Sequence, residues 1–144
     1  MFDEKIKTVY LSGPMTGIEN GNKEAFDKME SFLVDQGLRV FNPATAGVVE
    51  GWNRQDYLRR DTEFIAKCDA IILLNQWYMS RGVAAELMIG LGLGLKFFKC
   101  VSTGEGVPYR VEMAPSVIWR HVVEFIARPS LTMDFNDVRT DMWD

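Results

Sequence analysis

Apolar residues along the chain either cluster in short runs or recur every three to four positions. The first pattern reads as buried strand and the second as a helix with one buried face. Residues 7–11 form a first strand, followed at once by the turn-rich Ser12-Gly13-Pro14-Met15-Thr16-Gly17. A helix over about 22–36 follows, with Phe26, Met29 and Phe32/Leu33 on one face and Gly37-Leu38 as its stop signal. Residues 39–41 are a short strand ended by Asn42-Pro43, and 44–52 a loop closed by Gly51-Trp52. Asn53 caps a helix running to about Cys68. Residues 69–74 are a strand apolar enough to be covered on both faces. A helix over 83–93, a strand over 97–101, an edge strand over 109–113 and a helix over 115–127 complete the pattern. Repeated alternation of strand and helix predicts a doubly wound α/β domain, Rossmann-like or flavodoxin-like. Its parallel sheet has four to five strands, with helices on both faces. A single domain over 1–128 is expected, with 129–144 as a mixed polar and apolar tail. Ligands of such folds bind beyond the carboxyl ends of the strands. The loops 12–17, 42–52 and 75–82 meet there.

Composition narrows the class. The chain has 144 residues, 47% hydrophobic and 25% charged, an ordinary globular balance. A net charge of −4 supplies no basic field for a nucleic-acid backbone, so no nucleic-acid partner is expected. The apolar run 82–95 contains Glu86 and is too short to cross a bilayer, and the first five residues lack the apolar core of a signal peptide. A cytoplasmic protein without a membrane partner is expected. Cys68 and Cys100 are too few for a disulfide framework and read as small buried hydrophobes.

A few residues break the local pattern. Asp61 interrupts the stripe Tyr57, Ile65, Cys68, and a carboxylate there needs partners. Periodicity leaves open whether those partners are a neighbouring loop or a substrate. Glu86 is the one charged side chain between Gly82 and Leu95. At a site-facing helix start, favoured and kept ionised by the helix dipole, it reads as a nucleophile or base. The loop 12–17 opens a helix in the manner of a phosphate cradle, without matching a P-loop or the three-glycine dinucleotide pattern. Ser80-Arg81-Gly82 adds a hydroxyl and backbone amides, although a serine there is also an ordinary helix cap. Trp52 and Trp77 lie on site loops, where an aromatic ring stacks on a nucleobase. His121, alone of its kind, sits among Ile118, Val122 and Phe125 and reads as structural. Gly90, Gly92 and Gly94 flatten their helix for close approach of another helix or subunit. Together with Phe135, Met142 and Trp143 of the tail, this predicts a homodimer.

Three stretches carry a family likeness: 7–14 (Lys-Thr-Val-Tyr-Leu-Ser-Gly-Pro), Asp61-x-x-x-Ile65-x-x-x-Asp69, and Ser80-x-Gly82-Val83-x-x-Glu86. In order and spacing they resemble the nucleoside 2-deoxyribosyltransferase superfamily over about residues 7–95. That group includes the deoxynucleoside 5′-monophosphate N-glycosidases, and many phage and prophage proteins share the look. The resemblance implies that Glu86 attacks C1′ to give a covalent deoxyribosyl-enzyme, that Tyr10 orients Glu86, and that Asp61 assists departure of the base. Ser12, Gly13, Pro14, Trp52, Ser80 and Gly82 become the expected contacts to a deoxynucleotide or deoxynucleoside. No metal or organic cofactor is implied. Related enzymes complete their sites across a subunit boundary.

Two departures bear on the substrate. Transferases of the group usually carry an aspartate where this chain has Ser80, whereas the monophosphate hydrolases carry serine. A carboxylate there repels a 5′-phosphate and a hydroxyl at a helix N-terminus binds one, so hydrolysis of a monophosphate is expected ahead of base transfer. Against this, loop 12–17 lacks the arginine of the hydrolases, leaving Arg59, Arg60 or Arg81 as candidates to replace it. A nucleotide-binding or sensing module on the same scaffold is the alternative from another class. It has no need of a nucleophile.

Overall fold

The structure, a computed structural model, describes residues 2–103, 109–114, 118–120, 122 and 124. The elements run β1 (Thr8–Ser12), α1 (Lys23–Asp35), β2 (Arg39–Phe41), α2 (Pro43–Ala46), α3 (Arg54–Ile65), β3 (Ala70–Leu73), α4 (Arg81–Gly92), β4 (Lys96–Ser102) and β5 (Tyr109–Met113). Residues 118–120, 122 and 124 are helical. His121, Arg81's side chain and the tail from 129 lie outside the described residues, and with them the structural reading of His121 and the expected roles of Arg81 and the tail.

The strands form one sheet in the order β2-β1-β3-β4-β5, parallel except for the antiparallel edge pair β4–β5. This is the expected α/β fold with five strands. Side chains alternate across the sheet. Val9, Leu11, Ala70, Ile72, Leu74 and Phe98 pack against Phe26, Met29 and Leu33 of α1. Tyr10, Ile71, Leu73 and Phe97 turn the other way, toward Ile65, Val83, Leu87, Ile118 and Val122. The buried strand β3 therefore serves two cores, which is why its sequence is apolar without alternation.

Local chemistry sets the ends of these elements. Gly37 at φ 89° lets the Leu38 amide reach back to the Leu33 carbonyl at 3.2 Å, and buried Leu38 joins the α1 core. Asn53 and Asp56 cap α3 reciprocally: the Asn53 side chain accepts from the Asp56 amide at 2.9 Å, and Asp56 accepts from the Asn53 amide at 3.0 Å. Asp69 accepts from the amides of Lys7 and Thr8 at 2.9 and 3.0 Å, tying the entrance of β3 to that of β1.

Two expectations are corrected. The segment read as a loop from residue 44 begins with the one-turn helix α2, because the Asn42 side chain accepts from the Ala44 amide and Pro43 fits the first helical position. The glycine face of α4 is in part an internal packing surface: a Cβ on Gly90 would lie 2.7 Å from Ile71 Cδ1 and 3.1 Å from Phe97 Cζ. The small residue lets α4 settle on its own sheet, while Gly92 faces open space. Among the described residues no helix is long and apolar enough to cross a membrane.

Candidate functional site

β1 lies between β2 and β3, so the crossovers leave it on opposite sides and a crevice opens beyond the ends of β1 and β3. A cavity of about 680 Å³ occupies it. Its chemistry starts on β1. Tyr10 and Ser12 are two residues apart, hence on one face of the sheet, and neither is exposed. Both point to α4, where Glu86 receives them: the Tyr10 hydroxyl donates to Oε2, and Ser12 Oγ donates to Oε1 at 2.8 Å. Both carboxyl oxygens are thus held, and a carboxyl group so held cannot rotate freely. Asp61 of α3 lines the same cavity, near Tyr10.

Burial pushes the Glu86 carboxyl up to about 8, and the charge of Asp61 adds to it against the bonds from Tyr10 and Ser12. Asp61 is itself raised by burial, with Arg60 opposing. Tyr10 is held well above its ordinary value by burial and by both carboxyl groups, so it stays a donor. This corrects the reading of Glu86 as kept ionised by the helix dipole. The helix starts at Arg81, its first turn holds no acidic residue, and Glu86 lies in the second, where the dipole effect has faded. Two neighbouring carboxyl groups in low dielectric share a proton more readily than they carry two charges.

The other expected residues fall into three groups. Gly13, Ser80 and Gly82 line the cavity. A Cβ on Gly13 would meet Leu74 Cβ at 2.7 Å, so only glycine lets the loop pass that close to the end of β3. Ser80 is buried and also caps α4, accepting from the Val83 amide at 3.3 Å. Ser12, expected as a substrate contact, bonds Glu86 and does not line the cavity. Pro14 and Trp52 do not line the cavity. The Pro14 carbonyl accepts from Asn22 Nδ2 at 2.9 Å, and Trp52 packs edge-on to Tyr57 at 5.2 Å with Arg60 over its ring. Trp77 is buried in the α3/α4 core.

The sequence reading missed Lys23 and Arg54, which line the cavity as the first residues of α1 and α3. A signal was present: a cation in the first helical turn opposes the dipole, and two such helices open on one crevice. Of the arginines considered as replacements, Arg59 is exposed and lies 4.0 Å from Asp56, whereas Arg60 lines the cavity. Among the described residues no group of three or more His, Cys, Asp or Glu side chains is placed to hold a metal ion.

Residues 7–99 match a family described as a domain of unknown function (DUF4406). No curated protein matches the chain. Among solved structures it is similar to a 2-deoxyribosyltransferase from the psychrotolerant bacterium Bacillus psychrosaccharolyticus. Identity is 28% and the TM-score 0.54, over 68% of this chain and 74% of that one. A 2-desoxiribosyltransferase from Leishmania mexicana shares the fold at 20% identity and a TM-score of 0.52, over 72% of this chain and 78% of that one.

Proposed function

The chain belongs to the DUF4406 family over residues 7–99, and on that scaffold we propose an enzyme that cleaves the N-glycosidic bond of a 2′-deoxynucleoside 5′-monophosphate. The observation that carries this reading is Glu86, aimed at the cavity with both oxygens held by Tyr10 and Ser12 and with Asp61 beside it. A carboxyl pair with one proton between its members has the proton count of a retaining glycosidase. With the shared proton passed from Glu86 to Asp61, one Glu86 oxygen bonds to C1′ as the C1′–N bond breaks, and the departing base takes that proton from Asp61. Water then attacks C1′, frees Glu86 and returns a proton to Asp61. The likeness to the Bacillus enzyme supports the same glycosyl chemistry, with a second base in place of water as the alternative.

Support for a phosphate comes from charge. The chain carries −4 overall, yet Lys23, which also pairs with Asp27, and Arg54 line the cavity, beside an Arg60 engaged by Asp61. Ser80 and the amides at the start of α4 provide hydroxyl and N–H donors where a transferase carboxylate would repel an anion. Incubation with a panel of nucleosides and 5′-monophosphates, scored by released base, tests the reading. A monophosphate is expected to exceed its nucleoside by at least about tenfold in kcat/KM, equivalent to ~1.4 kcal/mol. Ser80→Asp is expected to reverse the preference. Equal losses on both substrates would leave Ser80 as a cap alone and favour base transfer. Glu86→Ala is expected to lose at least about a thousandfold in turnover while remaining folded.

A homodimer forms part of the proposal, since Tyr78, Met79 and Trp119 are 58%, 67% and 60% exposed. Light scattering at micromolar concentration is expected to show two copies. A fully active monomer rejects it.

A further inference from the structure

Arg60 has more partners than one side chain needs for its own burial. Its Nη1 donates to the carbonyls of Gly47 at 2.8 Å and Ala46 at 3.3 Å, and its Nε donates to Asp61 Oδ1 at 3.3 Å. The guanidinium lies 5.5 Å from the Trp52 ring centre and 5.3 Å from that of Tyr57. Its side chain is only 16% exposed. Tyr57 holds the same loop farther along, accepting from the Val49 amide at 2.9 Å and donating to the Val49 carbonyl at 3.1 Å. Residues 46–49 are therefore tethered to α3 at two points. Between the tethers, Val48 is 91% exposed yet forms part of the cavity wall. Gly47 and Gly51, at φ 80° and 85°, bracket the tip.

We propose that Arg60 is a positioning residue that couples this wall to Asp61: one guanidinium fixes the loop over the bound base and orients and stabilises the carboxylate that Asp61 becomes on giving up its proton. The proposal rests on the glycosidic reading above. Arginine is suited to it because a planar fork serves a carbonyl pair and a carboxylate at once and stacks on aromatic rings, which an ammonium cannot do. Among the described residues, the groups facing Asp61 are Tyr10 from β1, Glu86 from α4 and Arg60 of its own helix, with Arg60 the one cation that acts on it directly. Removing that cation therefore raises the pH at which Asp61 ionises, whereas keeping charge without the fork leaves it near its present position.

Arg60→Gln and Arg60→Lys separate the two functions. The Asp61 carboxyl carbon is followed against pH by NMR of carbon-13-labelled aspartate, assigned with Asp61→Asn. The loop is followed by limited proteolysis after Glu50 with a glutamate-specific protease. Arg60→Gln is expected to move the Asp61 midpoint up by about one unit or more and to speed cutting by about tenfold or more. Arg60→Lys is expected to keep the midpoint within about half a unit of wild type while still cutting fast. If Arg60→Gln does not fold, the Asp61 midpoint is read in Arg60→Met instead, and cutting of Arg60→Lys at the wild-type rate overturns the coupling. An unmoved Asp61 midpoint in a folded Arg60→Gln protein also overturns it. With a cleavable nucleotide, Arg60→Lys raises KM more than it lowers kcat, and Arg60→Gln shifts the acidic and basic limbs of the rate profile. Titration and proteolysis need no substrate. Failure to cleave any nucleotide would thus remove the functional reading and leave these two results to judge Arg60.

Discussion

Glu86 shows how a residue of modest appearance acquires unusual chemistry from its surroundings. Its carboxyl group is raised to about 8 chiefly by burial, with Asp61 adding to the effect. An acid whose folded-state value lies above its unfolded one stabilises the fold at low pH. That contribution is complete below about 4.5 and is lost as the pH rises through about 8. Glu86→Gln removes the titration while keeping an oxygen for Tyr10 or Ser12 to donate to. The melting temperature of the variant relative to wild type is therefore expected to climb by several degrees between pH 5 and pH 8.5. Parallel melting profiles across that range would show that Glu86 is ionised throughout. The polarity break at Glu86 was readable in the sequence, because one carboxylate stood in an otherwise apolar helix. Its protonation was not, since that depends on Asp61 and Tyr10, which are 25 and 76 positions away and meet it only in the fold.

Among the elements, the loop between β1 and α1 is shaped by contacts that leave little freedom. Gly13 passes the end of β3 so closely that an added Cβ would sit 2.7 Å from Leu74 Cβ, an atom too near its own backbone to swing aside. Gly13→Ala is expected to cost about 1–3 kcal/mol in thermal or denaturant unfolding and to lower activity further by shifting the cavity lining. An unchanged stability would mean that the loop has room to retreat. Strands and long helices were legible because their signals are local: a buried run for β3, three- and four-residue spacing for α1, Asn53 as the cap for α3. The one-turn helix α2 was also written in the chain, as Asn42 before Pro43, but four residues are too few for periodicity to register. The tethers of residues 46–49 were not legible. Each joins a loop backbone atom, which carries no sequence information, to a side chain of α3.

At the scale of the whole molecule, an acidic protein presents a cavity lined by three cations, Lys23, Arg54 and Arg60, together with the carboxyl groups of Asp61 and Glu86. Local positive charge within a negative envelope attracts an anion at short range and is screened by salt. KM for a 5′-monophosphate is expected to rise several-fold between about 50 and 500 mM salt, with KM for the matching nucleoside little changed. Equal salt dependence for both would remove charge from the account of specificity.

The sequence by itself determined the α/β class, the order of its main elements, the end of the sheet where the cavity opens, and the standing of Tyr10, Asp61 and Glu86 as candidates. The class, the order and the polar breaks at Asp61 and Glu86 follow from patterns within a dozen residues and from a rule of topology, whereas Tyr10 became a candidate through the family resemblance. Tertiary structure decided which residues share a surface. It brought Ser12 to Glu86, placed Lys23 and Arg54 in the cavity lining, moved Trp52 from the cavity lining to a stack beneath Arg60, and set Gly90 against the chain's own sheet. It also decided protonation, because the energy of a charge depends on everything within several ångströms of it, and chain order does not measure that distance.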